Sequence, residues 1–344
     1  MNVLVLTTKV PFVSGGAEEL RDHLVRNLRL AGVNAEAVSL PFTWEPAERL
    51  IDEMLVARSL RLANVDRVIA LKFPAYLAMH SNKVVWLLHQ YRQAYDLLDA
   101  GQSNIPDSER GRQIVKTIRS ADTVGLGEAR ALFTNSPTTQ NRLRHYNSIE
   151  GNVLRPPLND PDIFSAAEPE GYIVATGRIN DAKRQHLLVS ALRHAPKVRL
   201  VVAGPPDSAD DAAKLRSLAD ELGVGDRLVL DLQYLSRAAL ASWVNRSIAV
   251  AYLPFDEDSV GYCTMEAFQA GKPVLTTTDS GGVLDIVHDA VSGYVCAPTA
   301  EALGAGLSRL ASDGAKAKEM GANARAILDR EKLTWPATIE ALLS

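Results

Sequence analysis

Asp258 and Glu266 are separated by seven residues in the stretch "FDEDSVGYCTMEAFQAGKPVLTTTDSGG". Glu266 sits between Met265 and Ala267, in an otherwise apolar run. A carboxylate there is either buried and paired, or held for a ligand. Once buried it needs donors for its oxygens, and sugar or ribose hydroxyls can supply them. Gly261, between the two acids, lets a bound group come close to the backbone. Upstream, "TGRINDAKRQHLLVSAL" puts Arg178 just past a strand end and Lys183 at the start of the next helical pattern. Two fixed cations with helix N–H groups at such an edge suit a diphosphate. Solvated loop charges account for the same pair equally well.

Two further stretches could do chemistry. "KVPFVSGGAEE" follows the first strand pattern and opens a helix. Gly15 and Gly16 there permit close approach of an anion to the helix N-terminus. The run is neither a dinucleotide G-x-G-x-x-G nor a Walker loop, and a plain strand-to-helix turn would read the same way. His89, in "WLLHQYRQAYDL", ends a buried strand pattern, where an imidazole can hydrogen-bond a substrate hydroxyl or a developing charge. A structural histidine is the alternative, and no G-x-S-x-G elbow makes it part of a hydrolase triad. The "DED" at 256–258 spells an Asp-x-Asp that can hold Mg²⁺ or Mn²⁺, but no His/Cys ligand cluster accompanies it.

Short β-rich runs alternate with helical patterns along the whole chain. Examples are "NVLVLTT", "RVIALKF", "KVVWLLH", "GYIVATGRI", "VRLVVAG" and "IAVAYLP". Continuous Val/Ile/Leu runs separated by helices predict parallel sheets covered on both faces. At 344 residues, two domains are expected at roughly 150 residues each. The run "RPPLNDPDIFSAAEPEG", 155–171, has four prolines and no helical period, as a linker would. The spacing thus predicts a doubly wound domain over 1–160, a second over 161–330, and a terminal helix over 331–344. Two such domains facing each other would make a cleft at their strand C-terminal edges, where ligands bind.

The net charge of −4, with no basic tail, argues against nucleic-acid binding. Residues 1–160 carry about two net positive charges and 161–344 about six net negative ones. Two cysteines make no disulfide framework, which points to a reducing compartment. "MNVLVLTT" has no basic n-region and reads as a buried strand, so a cytoplasmic location is expected. In "SERGRQIVKTIRSAD", Arg112, Lys116 and Arg119 fall at i, i+4 and i+7 of a helical pattern. One basic face there could hold an anionic membrane, and a solvated face is the alternative.

In this order, "SGGAEE", "HQYRQAYDL", "FTNSPTTQNRLRHY", "ATGRINDAKRQHLLVSAL" and "FDEDSVGYCTMEAFQAGKPVLTTTDSGGVLDIVHDAVSGYV" resemble the family-4 glycosyltransferases. The resemblance covers nearly the whole chain. It implies the GT-B fold, two facing Rossmann-like domains around an interdomain cleft. It also implies a retaining hexosyl transfer from a UDP- or GDP-sugar to a hydroxyl of a glycan, lipid-linked or small-molecule acceptor, with no metal or other cofactor. Carried over, Asp258 contacts the donor sugar and Glu266 the ribose hydroxyls. Arg178 and Lys183 hold the diphosphate, and backbone around Gly261, Tyr262 and Cys263 faces sugar and phosphates. Gly15 and Gly16 form the glycine-rich loop, His89 lies near the donor sugar, and Tyr234 belongs to the base side.

The sequence departs from the family pattern at three places. Asp258 is shorter than the usual Glu, Asp285 stands where "GG-x-x-Glu" is common, and "LQYLS" at 232–236 replaces a Gly-containing turn. Two rivals follow from the bilobal organisation. A nucleotide-sugar 2-epimerase would yield epimerised donor and no transfer product. A non-enzymatic sugar-binding protein would bind without releasing nucleoside diphosphate.

Overall fold

The architecture comes from a computed structural model, described for residues 1–13 and 15–344. The chain divides into two compact units. Unit 1 is Met1–Pro157 together with Thr334–Ser344, and unit 2 is Leu158–Leu333. The boundary thus lies at the two prolines that open the proline-rich run, ahead of residue 160.

Unit 1 holds β1 (Asn2–Lys9), β2 (Asn34–Pro41), β3 (Arg67–Ala70), β4 (Lys83–Leu87), β5 (Ala131–Thr134) and β6 (Asn152–Val153), in the order β2-β1-β3-β4-β5-β6. Unit 2 holds β7 (Tyr172–Thr176), β8 (Arg199–Ala203), β9 (Leu228–Asp231), β10 (Ala249–Ala251), β11 (Val274–Thr277) and β12 (Gly293–Cys296), in the order β12-β11-β10-β7-β8-β9. Every pairing is parallel. Both sheets are covered on two faces, which is why their strands read as unbroken apolar runs. In unit 2, Ile173 and Ala175 enter one core while Tyr172 and Val174 enter the other. In unit 1, Leu4 and Leu6 face one core and Val3 and Val5 the opposite one. Each fully buried aliphatic side chain contributes about 1.5–3 kcal/mol.

Each sheet has one place where neighbours in space are not reached by a single direction of winding. In unit 1 it lies between β1 and β3, in unit 2 between β7 and β10. Such reversals leave a crevice outside the strand C-termini. The terminal helix Trp335–Leu343 packs in unit 1, with Ile339 and Leu342 in the core beside Leu20, Leu24 and Trp86. Among the described residues no helix is long and apolar enough to cross a membrane.

The helix Glu109–Gly127 forms as its pattern predicts, capped by Ser108. Its basic triplet does not share one solvated face. Arg112 and Lys116 are exposed, but Arg119 is half-buried. Its guanidinium donates to the Ala94 carbonyl at 2.8 Å and lies over the rings of Tyr95 and Tyr146. Arg119 is a packing residue, because an arginine stem and planar head can cover aromatic surface.

Candidate functional site

The residues after β7 and β10 converge on the unit 2 reversal. Beyond Thr176 the chain turns at Gly177, and Arg178 follows. The Arg178 guanidinium meets Asp207 at 3.0 Å, and Asn180 donates to the same carboxylate at 2.8 Å. Lys183 closes a short 3₁₀ turn, Asp181–Lys183. Its Nζ donates to the Tyr252 hydroxyl at 2.9 Å and pairs with Glu257. Burial, then the Glu257 charge, pushes the Tyr252 phenol far above its ordinary range.

The acid loop after β10 is stitched to the loop after β11. Asp256 N–H donates to the Asp279 carbonyl, Glu257 N–H to the Ser280 carbonyl, and Gly282 N–H to the Glu257 carbonyl. Asp258 is thereby fixed and buried. Gly261 has φ +73°, and a Cβ there would lie 2.6 Å from the Tyr252 ring. Backbone strain and the close ring both require glycine. The helix Tyr262–Gln269 starts at the next residue and is buried nearly all round.

Glu266 is 2% exposed. Its Oε1 accepts from Arg237 Nη1 at 2.5 Å. Arg237 opens the helix Arg237–Asn245, behind the Ser236 cap. Its guanidinium also donates to the Asn159 carbonyl at 3.1 Å, lies 3.7 Å from Asp160 and stacks over Phe164 at 5.1 Å. The carboxylate is therefore both buried and paired. Cys263 donates to the Thr176 carbonyl, and burial together with the Glu266 charge pushes its thiol up to about 12. It is no thiolate nucleophile near neutrality. Tyr234 stands on the loop after β9, 79% exposed.

Sequence reasoning missed four residues of this network: Asp207, Glu257, Arg237 and Arg184. Arg184 donates to the Leu253 and Pro254 carbonyls and forks onto Asp279 at 2.8 Å for both nitrogens. That fork holds the Asp279 carboxyl below its ordinary value. A buried Glu266 signals that a cation must be near, but which arginine supplies it depends on contacts far apart in sequence.

In unit 1 the β1/β3 reversal opens into a cavity of about 450 Å³. Phe42, Trp44, Phe73 and Tyr91 form an aromatic wall, with Lys9 at the end of β1 and Lys72 and His89 beyond the ends of β3 and β4. The Phe73 and Tyr91 rings are 5.1 Å apart, and burial pushes the Tyr91 phenol up to about 12. His89 Nδ1 lies 2.7 Å from the Gln90 carbonyl. A carbonyl only accepts, so Nδ1 carries the proton and Nε2 of the neutral ring keeps a lone pair. Gly15 precedes the helix Gly16–Leu30, and its N–H donates to Glu18 at 2.9 Å. Glu18 also pairs with Lys72 at 3.2 Å, which ties the glycine pair to the cavity. Ser14 of the same loop lies outside the described residues.

Residues 159–327 match the family model described as glycosyl transferases group 1. A D-inositol 3-phosphate glycosyltransferase of Mycolicibacterium paratuberculosis (strain ATCC BAA-968 / K-10) is 34% identical over 281 residues, 75% of this chain and 61% of that protein. The one from Mycobacterium marinum (strain ATCC BAA-535 / M) is 32% identical over 180 residues, 51% of this chain and 38% of the relative. The chain thus spans less than two thirds of the length of the curated relatives it matches. Sucrose-phosphate synthase from Thermosynechococcus elongatus superposes with a TM-score of 0.78 at 17% identity, over 99% of this chain and 97% of that one. WaaG, a glycosyltransferase involved in lipopolysaccharide biosynthesis, does so with 0.73 at 18%, over 98% of each chain. Anabaena Alr3699/HepE in complex with UDP-glucose gives 0.72 at 16%, over 100% and 98%. At those identities the structures establish the shared fold. The two parallel-sheet units are the GT-B fold, and residues 159–327 match the glycosyl transferases group 1.

Proposed function

We propose that this chain transfers a hexosyl group from a nucleoside-diphosphate sugar to an acceptor hydroxyl, with retention at the anomeric carbon. The observation that carries the reading is the convergence of Arg178, Lys183, Asp258 and Glu266 on the β7/β10 reversal of one sheet. The relatives' names support glycosyl transfer, and the UDP-glucose held by the Anabaena structure supports the donor class.

Breaking a glycosyl–phosphate bond puts negative charge on the diphosphate and positive charge on the sugar. Arg178 and Lys183 stabilise the leaving group most when that charge is largest, which is the condition for raising rate. N–H groups at the start of the Tyr262–Gln269 helix, from Gly261 to Cys263, add to them. Glu266 accepts from the ribose hydroxyls. Asp258 faces the cationic sugar, the role in which a carboxylate favours an oxocarbenium-like state. We place the acceptor in the unit 1 cavity, where aromatic faces can stack on a ring and the His89 Nε2 lone pair can accept from a hydroxyl. Of the acids at 256–258, the Glu257 carboxylate is drawn into the protein's own contacts by Lys183. The proposal therefore includes a transfer that needs no resident metal. Two unbridged cysteines fit a reducing, cytoplasmic setting.

The test is a panel of UDP- and GDP-sugars incubated with the full chain in EDTA, with and without hydroxyl acceptors. Release of nucleoside diphosphate together with a glycosylated product of retained configuration is expected. Binding without release would favour a sugar-binding protein, and epimerised donor without product would favour an epimerase. Rescue only by Mg²⁺ or Mn²⁺ would return Asp256 and Asp258 to a metal role.

A further inference from the structure

Arg237 joins three separate stretches of unit 2 through one guanidinium. It is the first residue of the Arg237–Asn245 helix, reaches Glu266 on the Tyr262–Gln269 helix, and donates to the Asn159 backbone within the proline-rich run. Phe164 covers one face of the group, and Asp160 lies near Nε. An arginine restrained by an aromatic face, a carbonyl and two carboxylates has little rotational freedom. A glutamate bound to it inherits that restraint. Glu266 has three side-chain torsions, and nothing in a helical backbone fixes the last two.

The pair is also placed unlike a structural counter-ion pair of the interior. Glu266 has 3% of its side chain exposed, whereas Arg237 has 30%. The carboxylate is desolvated while the cation still borders solvent at the rim. Stability alone does not call for such a pair, since apolar residues in a buried helix serve as well or better. Asn159, which supplies the backbone acceptor, is wholly buried, and its carboxamide has no protein partner at either polar atom. Unspent buried hydrogen-bonding capacity beside a fixed ion pair is what a polyhydroxyl ligand would use.

We propose that Arg237 is the positioning residue for ribose recognition: it fixes the Glu266 carboxylate in the one orientation that meets a cis-diol, without itself touching the reacting atoms. The proposal rests on the reading of Glu266 as the ribose ligand, given above. It moves part of the donor specificity to the helix that follows β9, outside the acid stretch.

The experiment is isothermal titration of the full chain with UDP, 2′-deoxy-UDP and inorganic pyrophosphate, with GDP and 2′-deoxy-GDP alongside. The proteins are wild type, Glu266→Gln, Arg237→Gln and Arg237→Lys. Wild type is expected to prefer the ribonucleotide by about tenfold or more, the range of hydrogen bonds to a charged group. Glu266→Gln and Arg237→Gln should both bring that ratio to within about twofold, and Arg237→Lys should leave it intermediate, because an ammonium lacks the planar fork. Pyrophosphate affinity should stay at the wild-type level in all four, which a general loosening of unit 2 would not allow. If Arg237→Gln does not fold, Arg237→Lys carries the test. A wild-type ratio in the Arg237 variants, beside a lost ratio in Glu266→Gln, overturns the positioning role and leaves the ribose reading standing. A wild-type ratio in Glu266→Gln defeats the ribose reading and this proposal together. So does failure of every nucleotide to bind.

Discussion

At the β1/β3 edge of unit 1, aromatic rings and His89 line an open cavity. At the β7/β10 edge of unit 2, Arg178, Lys183 and Arg237 each already hold a carboxylate. The same sheet reversal serves both edges, and the chemistry filling them differs. The difference suits two kinds of recognition. The rings and the His89 imidazole are presented without rearrangement, so a ligand there mostly gains stacking and burial. A paired cation must exchange its partner before it can hold a phosphate, so a ligand there gains only the difference between two ion pairs.

The largest expected effect tests the unit 2 edge. Arg178→Ala or Lys183→Ala should lower turnover by about 10²–10³-fold, the loss typical of one donor to a developing anion. The circular dichroism spectrum should not change, since both side chains are partly exposed. Near wild-type release of nucleoside diphosphate at saturating donor would remove the clamp from the argument.

The next tests the unit 1 edge. Trp44 is 42% exposed, so Trp44→Ala should leave the core intact. The acceptor KM should rise about tenfold, the worth of one aromatic contact, with nucleotide affinity unchanged by titration. If nucleotide affinity changes instead, the cavity belongs to the donor.

A smaller effect sharpens the contrast in prior pairing. Glu257→Gln removes the charge that competes for Lys183, and UDP should then bind about threefold more tightly at low salt, the modest worth of a half-exposed pair. Weaker binding would make Glu257 a support of the Lys183 pose rather than a competitor.

The smallest effect lies in the core of unit 1. Asp122 is buried, accepts from the Tyr95 hydroxyl at 2.8 Å, and burial pushes its carboxyl up to about 7 from an ordinary 3.8. A folded-state value raised above the unfolded one stabilises the fold fully below pH ~3.8, and that contribution is lost as pH rises through about 7. Asp122→Asn should flatten this dependence. Between pH 6 and 8 the wild-type melting temperature should fall by roughly 2–4 °C more than the variant's, corresponding to about 1 kcal/mol. Parallel pH profiles in scanning calorimetry would show that Asp122 titrates normally.

Much of this organisation was legible in the sequence because it is local. The apolar runs of β1 and β7, the helix opening after Gly261 and the capped helix after Ser108 depend on neighbours within a few residues. The anomaly of Glu266 was legible too, since a charge in an apolar run is visible without a structure. Its partner was not, for Arg237 stands on another helix and chemically resembles any surface arginine. Arg119 shows the converse. Helical spacing placed it on a basic face, but Tyr95 and Tyr146 cover it. Spacing fixes which side of a helix a residue occupies, not what packs against that side. The proton position on His89 was also out of reach, because it follows from a carbonyl contact at its own backbone turn.

The terminal helix Trp335–Leu343 makes unit 2 an insertion within unit 1. As the chain is synthesised, all of unit 2 exists before Ile339 and Leu342 reach the surface formed by Leu20, Leu24 and Trp86. Arg67, 4% exposed, likewise waits for the Leu342 carbonyl. The unit made first is therefore completed last. A released fragment ending near residue 330 would carry a finished second sheet and an uncovered apolar strip on the first, the state most exposed to chaperones and to wrong partners.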